Sequence, residues 1–238
     1  MAQKLNSSAF RNRLLRSLSA SDLATVSPRL EPVDLPLRFD LERPHKPIEH
    51  VYFPETGLAS MVASGPRKRQ LEVGMMGSEG MTGHVVVLGD DRAPHSTFMQ
   101  MAGNGHRLAS DDLRRLMAGS DTLRAVLLRY VQSFLIQSTH TAMSNGSARL
   151  DERLARWLLM AHDRTEGDQL ALIHEFLALM LGVQRPGVTV AIHSLERRGL
   201  IRATRGNITV LDRKGLEAAA NGSYGPPEAE YKRLFAAG

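Results

Sequence analysis

The pattern of apolar and polar positions divides the chain into a β-prone half followed by a helical half. Between about residues 30 and 110, prolines and glycines separate short runs that are rich in β-branched and other apolar residues. Closely spaced runs of this kind predict a compact antiparallel β-roll or jelly roll, and they leave its strand order open. The predicted strands are Glu49–Phe53, Leu58–Ala63, Gln70–Met75, His84–Leu88 and Ser96–Met101. A short helical pattern over residues 7–25 precedes them.

A long amphipathic helix is predicted after the roll, because apolar residues there recur every three or four positions. Asp121 is placed to cap this helix, which is expected to run from Thr122 to about Met143. Its apolar stripe suits a dimer seam, with burial against the subunit's own roll as the alternative. The predicted dimer-interface residues are Leu123, Leu127, Tyr130 and Phe134. Asn145-Gly146 is expected to end the helix and to act as a hinge.

The stretch from His174 to Leu211 predicts two short helices followed by a hairpin. The first helix is expected over His174–Leu181 and the second over Gln184–Arg198, with a tight turn at Gly182 between them. Glycine suits that turn because it adopts positive φ angles without steric cost. Leu200–Leu211 alternates apolar and polar residues around a central turn, as a β-hairpin does. The segment therefore predicts a helix-turn-helix with a β-wing.

Charge favours a nucleic acid as the partner of this segment. Residues 172–215 contain seven Lys and Arg against three acidic residues, whereas the rest of the chain is close to balanced. The net charge of the 238-residue chain is +5. A local basic excess on the second helix and the wing suits neutralisation of DNA phosphates.

The second helix is expected to lie in a major groove of double-stranded DNA. Its predicted base-contact residues are Gln184, Arg185 and Thr189, with Arg185 the first choice for a bidentate contact to guanine. The predicted phosphate contacts are His193, Arg197, Arg198, Arg205 and Asn207. The alternative is a winged helix that binds a protein instead of DNA, since a fold does not fix a function.

Composition excludes several other classes of function. The chain has no cysteine, which excludes disulfides and a cysteine-ligated iron–sulfur cluster. Its nine histidines are scattered, so no metal site is expected. No nucleophile-elbow, P-loop or His-Glu-x-x-His motif occurs, so we expect no catalytic residues and no enzymatic activity. The basic N-terminus lacks an apolar run behind it and no segment is apolar enough to span a bilayer, which predicts a cytoplasmic protein without a membrane partner.

The order of β-roll, long helix, hinge and winged helix-turn-helix resembles the Crp/Fnr family of bacterial transcription regulators over roughly residues 25–220. Specific similarity lies in LDERLARWLL (Leu150–Leu159) and in EFLALMLGVQRPGVTVAIHSLERRGLI (Glu175–Ile201). VYFPETG (Val51–Gly57) and EVGMMGSEGMTG (Glu72–Gly83) also look like the family's roll. The resemblance implies an α+β fold with an antiparallel, cyclic-nucleotide-binding-domain-like roll, a long dimerisation helix and a C-terminal winged helix-turn-helix.

Four parts follow from the combined pattern and resemblance. They are N-terminal helices with a β-roll sensor domain at 1–118, a dimerisation helix at 119–145, a winged helix-turn-helix DNA-binding domain at 146–220 and a flexible tail at 221–238. The implied function is a transcription regulator that binds an inverted-repeat operator as a homodimer, with RNA polymerase as a further partner if it is an activator.

The resemblance implies less about an effector. Family members that bind cyclic nucleotides use a Gly-Glu pair at the ribose and, a dozen or so residues later, an Arg-Ser/Thr pair at the cyclic phosphate. This sequence keeps the glutamate as Glu79, but it has His95-Ser96 in place of the second pair, with Arg92 nearby. The candidate effector pocket is therefore Glu79, Arg92, His95 and Ser96. We expect no cyclic-nucleotide binding, because histidine lacks the permanent charge and planar fork of arginine, and the sequence names no other cofactor.

Overall fold

The computed structural model describes residues 9–66 and 70–236. Within them, the strands of the N-terminal half are β1 (Glu31–Leu35), β2 (Asp40–Glu42), β3 (His50–Pro54), β4 (Leu58–Ser64), β5 (Gln70–Met76), β6 (Ser96–Met101) and β7 (Gly103–Ala109). They form two antiparallel sheets, ordered β1-β7-β3 and β2-β6-β4-β5. Leu35 and Tyr52 of the first sheet share a buried apolar cluster with Met61 and Met99 of the second. The antiparallel β-roll is thus confirmed.

One predicted strand is wrong. Residues 84–88 do not pair with a neighbour, and His84–Val87 forms a short helix, α3, instead. Gly83 precedes it with a φ of +72°, a left-handed conformation that turns the chain out of the sheet. Val86 and Val87 are buried on this helix, so burial of apolar side chains outweighs the β preference of the valines.

Helices pack against the roll. They are α1 (Arg13–Arg16), α2 (Ala20–Val26), α4 (Ser110–Gly119) and the long α5 (Asp121–Ser147). Leu14, Leu23 and Leu127 are each almost completely buried in the core cluster that these helices share with the roll. The Ser120 hydroxyl caps α5 by accepting a hydrogen bond from the N–H of Leu123 at 3.2 Å. The inner face of α5 is therefore buried within the subunit.

The predicted break in the long helix is also misplaced. The helix α5 continues through Asn145-Gly146 and ends at Ser147, and Ala148 is extended with φ −91° and ψ 150°. A Cβ added at Gly146 would meet no atom within 4 Å, and its φ lies outside the positive range. Glycine is tolerated there without changing the direction of the helix, so the bend to the next element lies at Ala148.

The C-terminal part forms a second module with its own apolar centre. It comprises α6 (Leu150–His162), β8 (Gln169–Leu170), α7 (His174–Leu181), α8 (Arg185–Arg197), β9 (Ile201–Thr204), β10 (Asn207–Val210) and α9 (Arg213–Ala219). The strands form a sheet in the order β8-β10-β9. Leu158, Leu177, Val188 and Leu195 are fully buried among these elements. The helix-turn-helix and its wing are confirmed, and β8, only two residues long, escaped the sequence pattern.

The predicted flexible tail contains a helix. Pro226–Phe235 forms α10, which packs against α5. The Gly225 N–H donates to the Glu228 carboxylate at 2.8 Å, and the Tyr231 hydroxyl donates to the Glu79 carbonyl oxygen at 2.7 Å. The prolines that suggested a tail occupy the first turn of a helix, where their missing N–H groups cost little. The chain after Asn221 therefore returns to the N-terminal domain.

No single helix among the described residues is long and apolar enough to cross a membrane, and α7 with α8, which together reach that length, are bent by 98°.

The two modules are docked on each other. Arg164, just after α6, forms an ion pair with Glu79 of the roll at 2.6 Å, and these side chains are 8% and 7% exposed. Leu58 and Met75 of the roll belong to the same buried apolar cluster as Leu158 of α6. Apolar burial supplies most of the stabilisation in such a contact, and the buried ion pair fixes its geometry.

A buried carboxyl group lies at this contact. Glu72 of β5 accepts hydrogen bonds from the Ser60 hydroxyl and, at 2.8 Å, from the Trp157 indole N–H of α6. Burial raises the pKa of Glu72 to about 7, although both hydrogen bonds act to lower it. The Ser60 hydroxyl has a single proton and also contacts the Gln100 side-chain oxygen. When Glu72 is protonated, the direction of its contact with Ser60 reverses: the carboxyl group donates to the Ser60 oxygen, and the Ser60 hydroxyl donates to Gln100. Both contacts of Ser60 are then hydrogen bonds.

We expect the free energy of unfolding to decrease as the pH rises from about 5 to about 8, because the folded state holds the Glu72 proton more tightly than the unfolded state. This contribution is fully present below the ordinary pKa of 4.5 and is lost as the pH passes through about 7. Glu72→Gln keeps the acceptor for Trp157 but has no proton to lose. Urea unfolding of the wild type and the variant across this range measures the effect. A wild-type-minus-variant difference that does not change with pH contradicts the prediction.

Candidate nucleic-acid interface

The turn between α7 and α8 has the geometry that the sequence predicts. Gly182 ends α7 with φ +63° and ψ 35°, and its N–H donates to the Leu179 carbonyl at 3.1 Å. The N–H of Val183 donates to the Ala178 carbonyl at 3.0 Å, which closes the turn. Val188 is fully buried on the facing side of α8. These contacts hold the two helices in a fixed, bent arrangement.

The outward face of α8 is centred on a residue that sequence reasoning missed. Val188, Ala191, Ile192 and Leu195 form the buried stripe of the helix. The exposed residues on the opposite side are Pro186, Val190, His193 and Arg197. Val190 is 67% exposed at the middle of that face. Its position four residues after Pro186 was the available signal, but an apolar residue there is easily assigned to a core.

The predicted base-contact residues lie at the beginning of α8. Gln184 is the exposed N-cap residue, and its side chain makes no capping hydrogen bond. The Arg185 guanidinium donates to the Glu175 carboxylate at 2.8 Å, with both side chains more than half exposed. Thr189 is half-buried, and its hydroxyl donates to the Arg185 carbonyl at 3.2 Å. An exposed pair such as Arg185–Glu175 stabilises by no more than ~1 kcal/mol, so an incoming acceptor can replace the carboxylate.

The wing is attached to α8 and forms a groove with it. Glu196 accepts a hydrogen bond from the Ala203 N–H at 2.8 Å, which links the end of α8 to β9. Gly206 makes the tip of the hairpin with φ +80°. His193 of α8 and Arg205 of the wing line the same groove. The structure thus brings together two of the predicted phosphate contacts from different elements.

The remaining predicted phosphate contacts lie around this groove. Arg197 and Arg198 are exposed at the end of α8, and Asn207 is half-buried at the start of β10. Arg213, which contributes to the local basic excess in sequence, is engaged elsewhere, since its guanidinium donates to Asp163 at 2.7 Å and to Glu217 at 3.1 Å. Fewer positive side chains of this module are therefore available to DNA than the number of Lys and Arg residues in its sequence suggests.

The predicted dimer-interface residues face the interior of the subunit, so this prediction is wrong. Leu123, Leu127, Tyr130 and Phe134 are only 1%, 1%, 3% and 6% exposed within a single subunit. A Cβ added at Gly80 would lie 2.2 Å from the Tyr130 ring, and one at Gly74 would lie 2.2 Å from the Phe134 ring. The stripe is buried in the subunit's own core. The opposite face of α5 exposes Leu128 and Leu135 by 42% and 58%.

The candidate effector residues are not brought together. Glu79 is paired with Arg164, whereas the Arg92 guanidinium makes two hydrogen bonds, at 2.7 and 3.0 Å, to the neighbouring Asp91. His95 is partly buried, and burial lowers its pKa below the ordinary value, so the ring is largely neutral at pH 7. Only Glu79 of the four predicted residues lines the cavity at the junction of the modules.

Comparison with a family model identifies the C-terminal module. Residues 152–219 match the Crp-like helix-turn-helix domain. The matched range begins in α6, ends with α9 and includes the turn, α8 and the wing. No curated protein matches the chain.

Several solved structures share most of the fold. A transcriptional regulator of the Crp/Fnr family from Eubacterium rectale has a TM-score of 0.69 and 16% identity, covering 89% of this chain and 99% of its own. FixK2 of Bradyrhizobium japonicum has a TM-score of 0.69 and 15% identity, with 80% and 96% covered. The c-di-GMP-responsive regulator CLP of Xanthomonas campestris has a TM-score of 0.65 and 18% identity, with 81% and 99% covered. At these identities the likeness establishes the fold.

Proposed function

Because residues 152–219 form a Crp-like helix-turn-helix domain in a chain with the Crp/Fnr fold, we propose that the protein is a transcription regulator that binds specific DNA as a homodimer. The observation that carries the proposal is the exposed face of α8, with Arg185 at its beginning and, at its end, the groove between α8 and the wing that His193 and Arg205 line. This arrangement suits a helix in a major groove with phosphates on either side.

Base reading is divided between polar and apolar side chains. Arg185 is free to exchange Glu175 for the O6 and N7 acceptors of guanine, which accept a bidentate contact from arginine. Gln184 supports it from the N-cap. Val190, at the centre of the exposed face, suits contact with the C5 methyl group of thymine, because an isolated apolar side chain gains from losing water there. Phosphate contacts come from His193 and Arg197 on the helix and from Arg205 on the wing.

The dimer forms through the exposed face of α5 rather than the predicted stripe. Exposed positions on this face follow one another at alternating steps of three and four residues: Ala125, Leu128, Gln132, Leu135, Thr139 and Ala142. That spacing is the 3.5-residue period of a left-handed coiled coil. Leu128 and Leu135, one heptad apart, occupy equivalent core positions, and a polar Gln132 between them favours a single register. A dimer of this kind places two copies of α8 at half-sites of an inverted repeat about one turn (~34 Å) apart.

The roll does not bind a cyclic nucleotide under this proposal. The rings of Tyr130 and Phe134 lie against Gly80 and Gly74, so α5 covers the roll directly at these two glycines. Glu79, the residue that resembles the family's ribose ligand, is already paired with Arg164. A neutral His95 supplies no fixed charge for a cyclic phosphate.

Selection from random double-stranded DNA by the purified protein, near physiological salt and without added effector, tests the function. We expect an enriched inverted repeat. Arg185→Ala should cost about 1–3 kcal/mol of binding free energy on that site and relax the preference at one base position. Glu175→Gln keeps the guanidinium and should retain the preference. If Arg185→Ala loses affinity for random DNA by the same factor as for the selected site, Arg185 does not contact a base. Absence of enrichment, together with absence of salt-dependent DNA affinity, favours a winged helix that binds protein.

Arg205→Ala should weaken binding to specific and random DNA by similar factors, because phosphates carry no sequence information. The slope of log affinity against log salt concentration should decrease by about one. Titrations at several salt concentrations measure it. Arg233→Ala is the matched control, since Arg233 is exposed on α10 and pairs with Glu230. An unchanged slope for Arg205→Ala would exclude the wing from phosphate binding.

Leu135→Glu should dissociate the dimer, because it places like charges opposite each other in an apolar seam. Sedimentation equilibrium of the variant should give the mass of one chain where the wild type gives two. Leu37→Glu is the control, since Leu37 is a comparably exposed leucine, 51% against 58%, in the connection between β1 and β2. A dimeric Leu135→Glu variant would rule out this face of α5.

A further inference from the structure

A cavity of about 210 Å³ lies where four parts of the chain meet. The loop after β5 contributes Glu79, and α5 contributes Tyr130 and Phe134. The end of α6 and the start of α9 contribute one wall, and the C-terminal segment with α10 contributes the other. A molecule in this cavity touches the roll, the long helix and the DNA-binding module at once.

The acidic groups of the cavity already have partners. Glu79 is paired with Arg164 at 2.6 Å, and Asp163 with Arg213 at 2.7 Å. The Glu228 carboxylate accepts the N–H of Gly225 and so is held at the beginning of α10. These interactions leave little capacity in the cavity for a further cation.

Two cationic groups of the cavity lack such partners. Arg13 and Lys232 are exposed, and neither forms an ion pair with an acidic side chain in the part of the chain that the structure describes. The Arg13 guanidinium lies over the Tyr231 ring, 5.3 Å from its centroid, which keeps it beside the cavity. An anionic group can bind both cations without displacing an existing salt bridge.

The walls between these charges are aromatic. They comprise the side chains of Tyr130, Phe134, Tyr224 and Tyr231 together with Pro227. Each tyrosine hydroxyl is occupied: Tyr130 donates to the Met81 carbonyl at 2.7 Å, Tyr231 to the Glu79 carbonyl at 2.7 Å and Tyr224 to Asp163 at 2.8 Å. With their polar tips engaged, the tyrosine rings line the cavity with apolar atoms, and Phe235 stacked on Tyr231 at 4.7 Å between ring centroids holds that ring in place.

We propose that this cavity binds a small aromatic carboxylate, with its ring against the tyrosines and its carboxylate at Arg13 and Lys232. An apolar cavity of ~150 Å³ is large enough to bind benzene, so a volume of about 210 Å³ suits a single six-membered ring with one carboxylate. Because the ligand contacts both modules, it stabilises their docked arrangement, and it does so whether or not the protein binds DNA.

Benzoate is the probe, titrated into the full-length protein by calorimetry with ligand-observed NMR alongside. Benzamide has nearly the same shape without the charge, and we expect it to bind at least ~10-fold more weakly. Saturating benzoate should also raise the melting temperature. Absence of benzoate binding at millimolar concentration overturns the proposal, as does equal affinity for benzamide.

Variants locate the site. Arg13→Gln with Lys232→Gln should lower benzoate affinity at least ~10-fold, since it removes both charges from the mouth of the cavity. Arg233→Gln, next to Lys232 but paired with Glu230, should bind like the wild type. Melting of each variant without ligand confirms that it is folded. Wild-type affinity in the double variant would overturn the assignment. Loss of affinity in Arg233→Gln would overturn it as well, because benzoate would then be attracted by positive charge in general and not by this site.

Discussion

Two aromatic rings of α5 pack directly on two glycines of the roll, and the rest of the structure depends on this contact. Phe134 covers Gly74 and Tyr130 covers Gly80, at distances that leave no room for a Cβ. Gln137, one turn further along, binds both the N–H and the carbonyl of Met75 at 2.8 and 3.1 Å. Together these contacts fix the rotation of the long helix about its axis. They direct Leu128 and Leu135 to the surface.

The rotation of α5 could not be deduced from the sequence, although its existence could. A period of three and four residues identifies the helix, but α5 has apolar residues on both faces, as the adjacent Leu127 and Leu128 illustrate. The choice between the faces depends on which glycines of a distant strand the rings meet. A one-dimensional pattern contains no such information. The break after α5 was misplaced for a related reason, since Asn145-Gly146 is a weak helix former that tertiary contacts tolerate.

The helix-turn-helix module was more predictable because its signals are local. A glycine with positive φ at Gly182, an apolar stripe on α8 and a short alternating hairpin are properties of neighbouring residues. Val190 could not be singled out because most base contacts come from side chains with hydrogen-bonding groups, and an apolar residue in a helical pattern is easily assigned to a core. The helix α10 was missed because prolines and glycines are typical both of tails and of helix starts. Packing against α5 decides between the two, and that contact spans about a hundred residues of sequence.

The return of α10 to the N-terminal domain makes the order of synthesis relevant to folding. The roll and α5 leave the ribosome well before Pro226–Phe235, and domains generally fold as they emerge. Until that helix has been synthesised, the surface of α5 under α10 and the carbonyl of Glu79 are open to water and to other chains. The docked arrangement is therefore completed only by one of the last elements of the fold to be made, and a nascent chain stalled before Tyr231 carries an uncovered apolar surface.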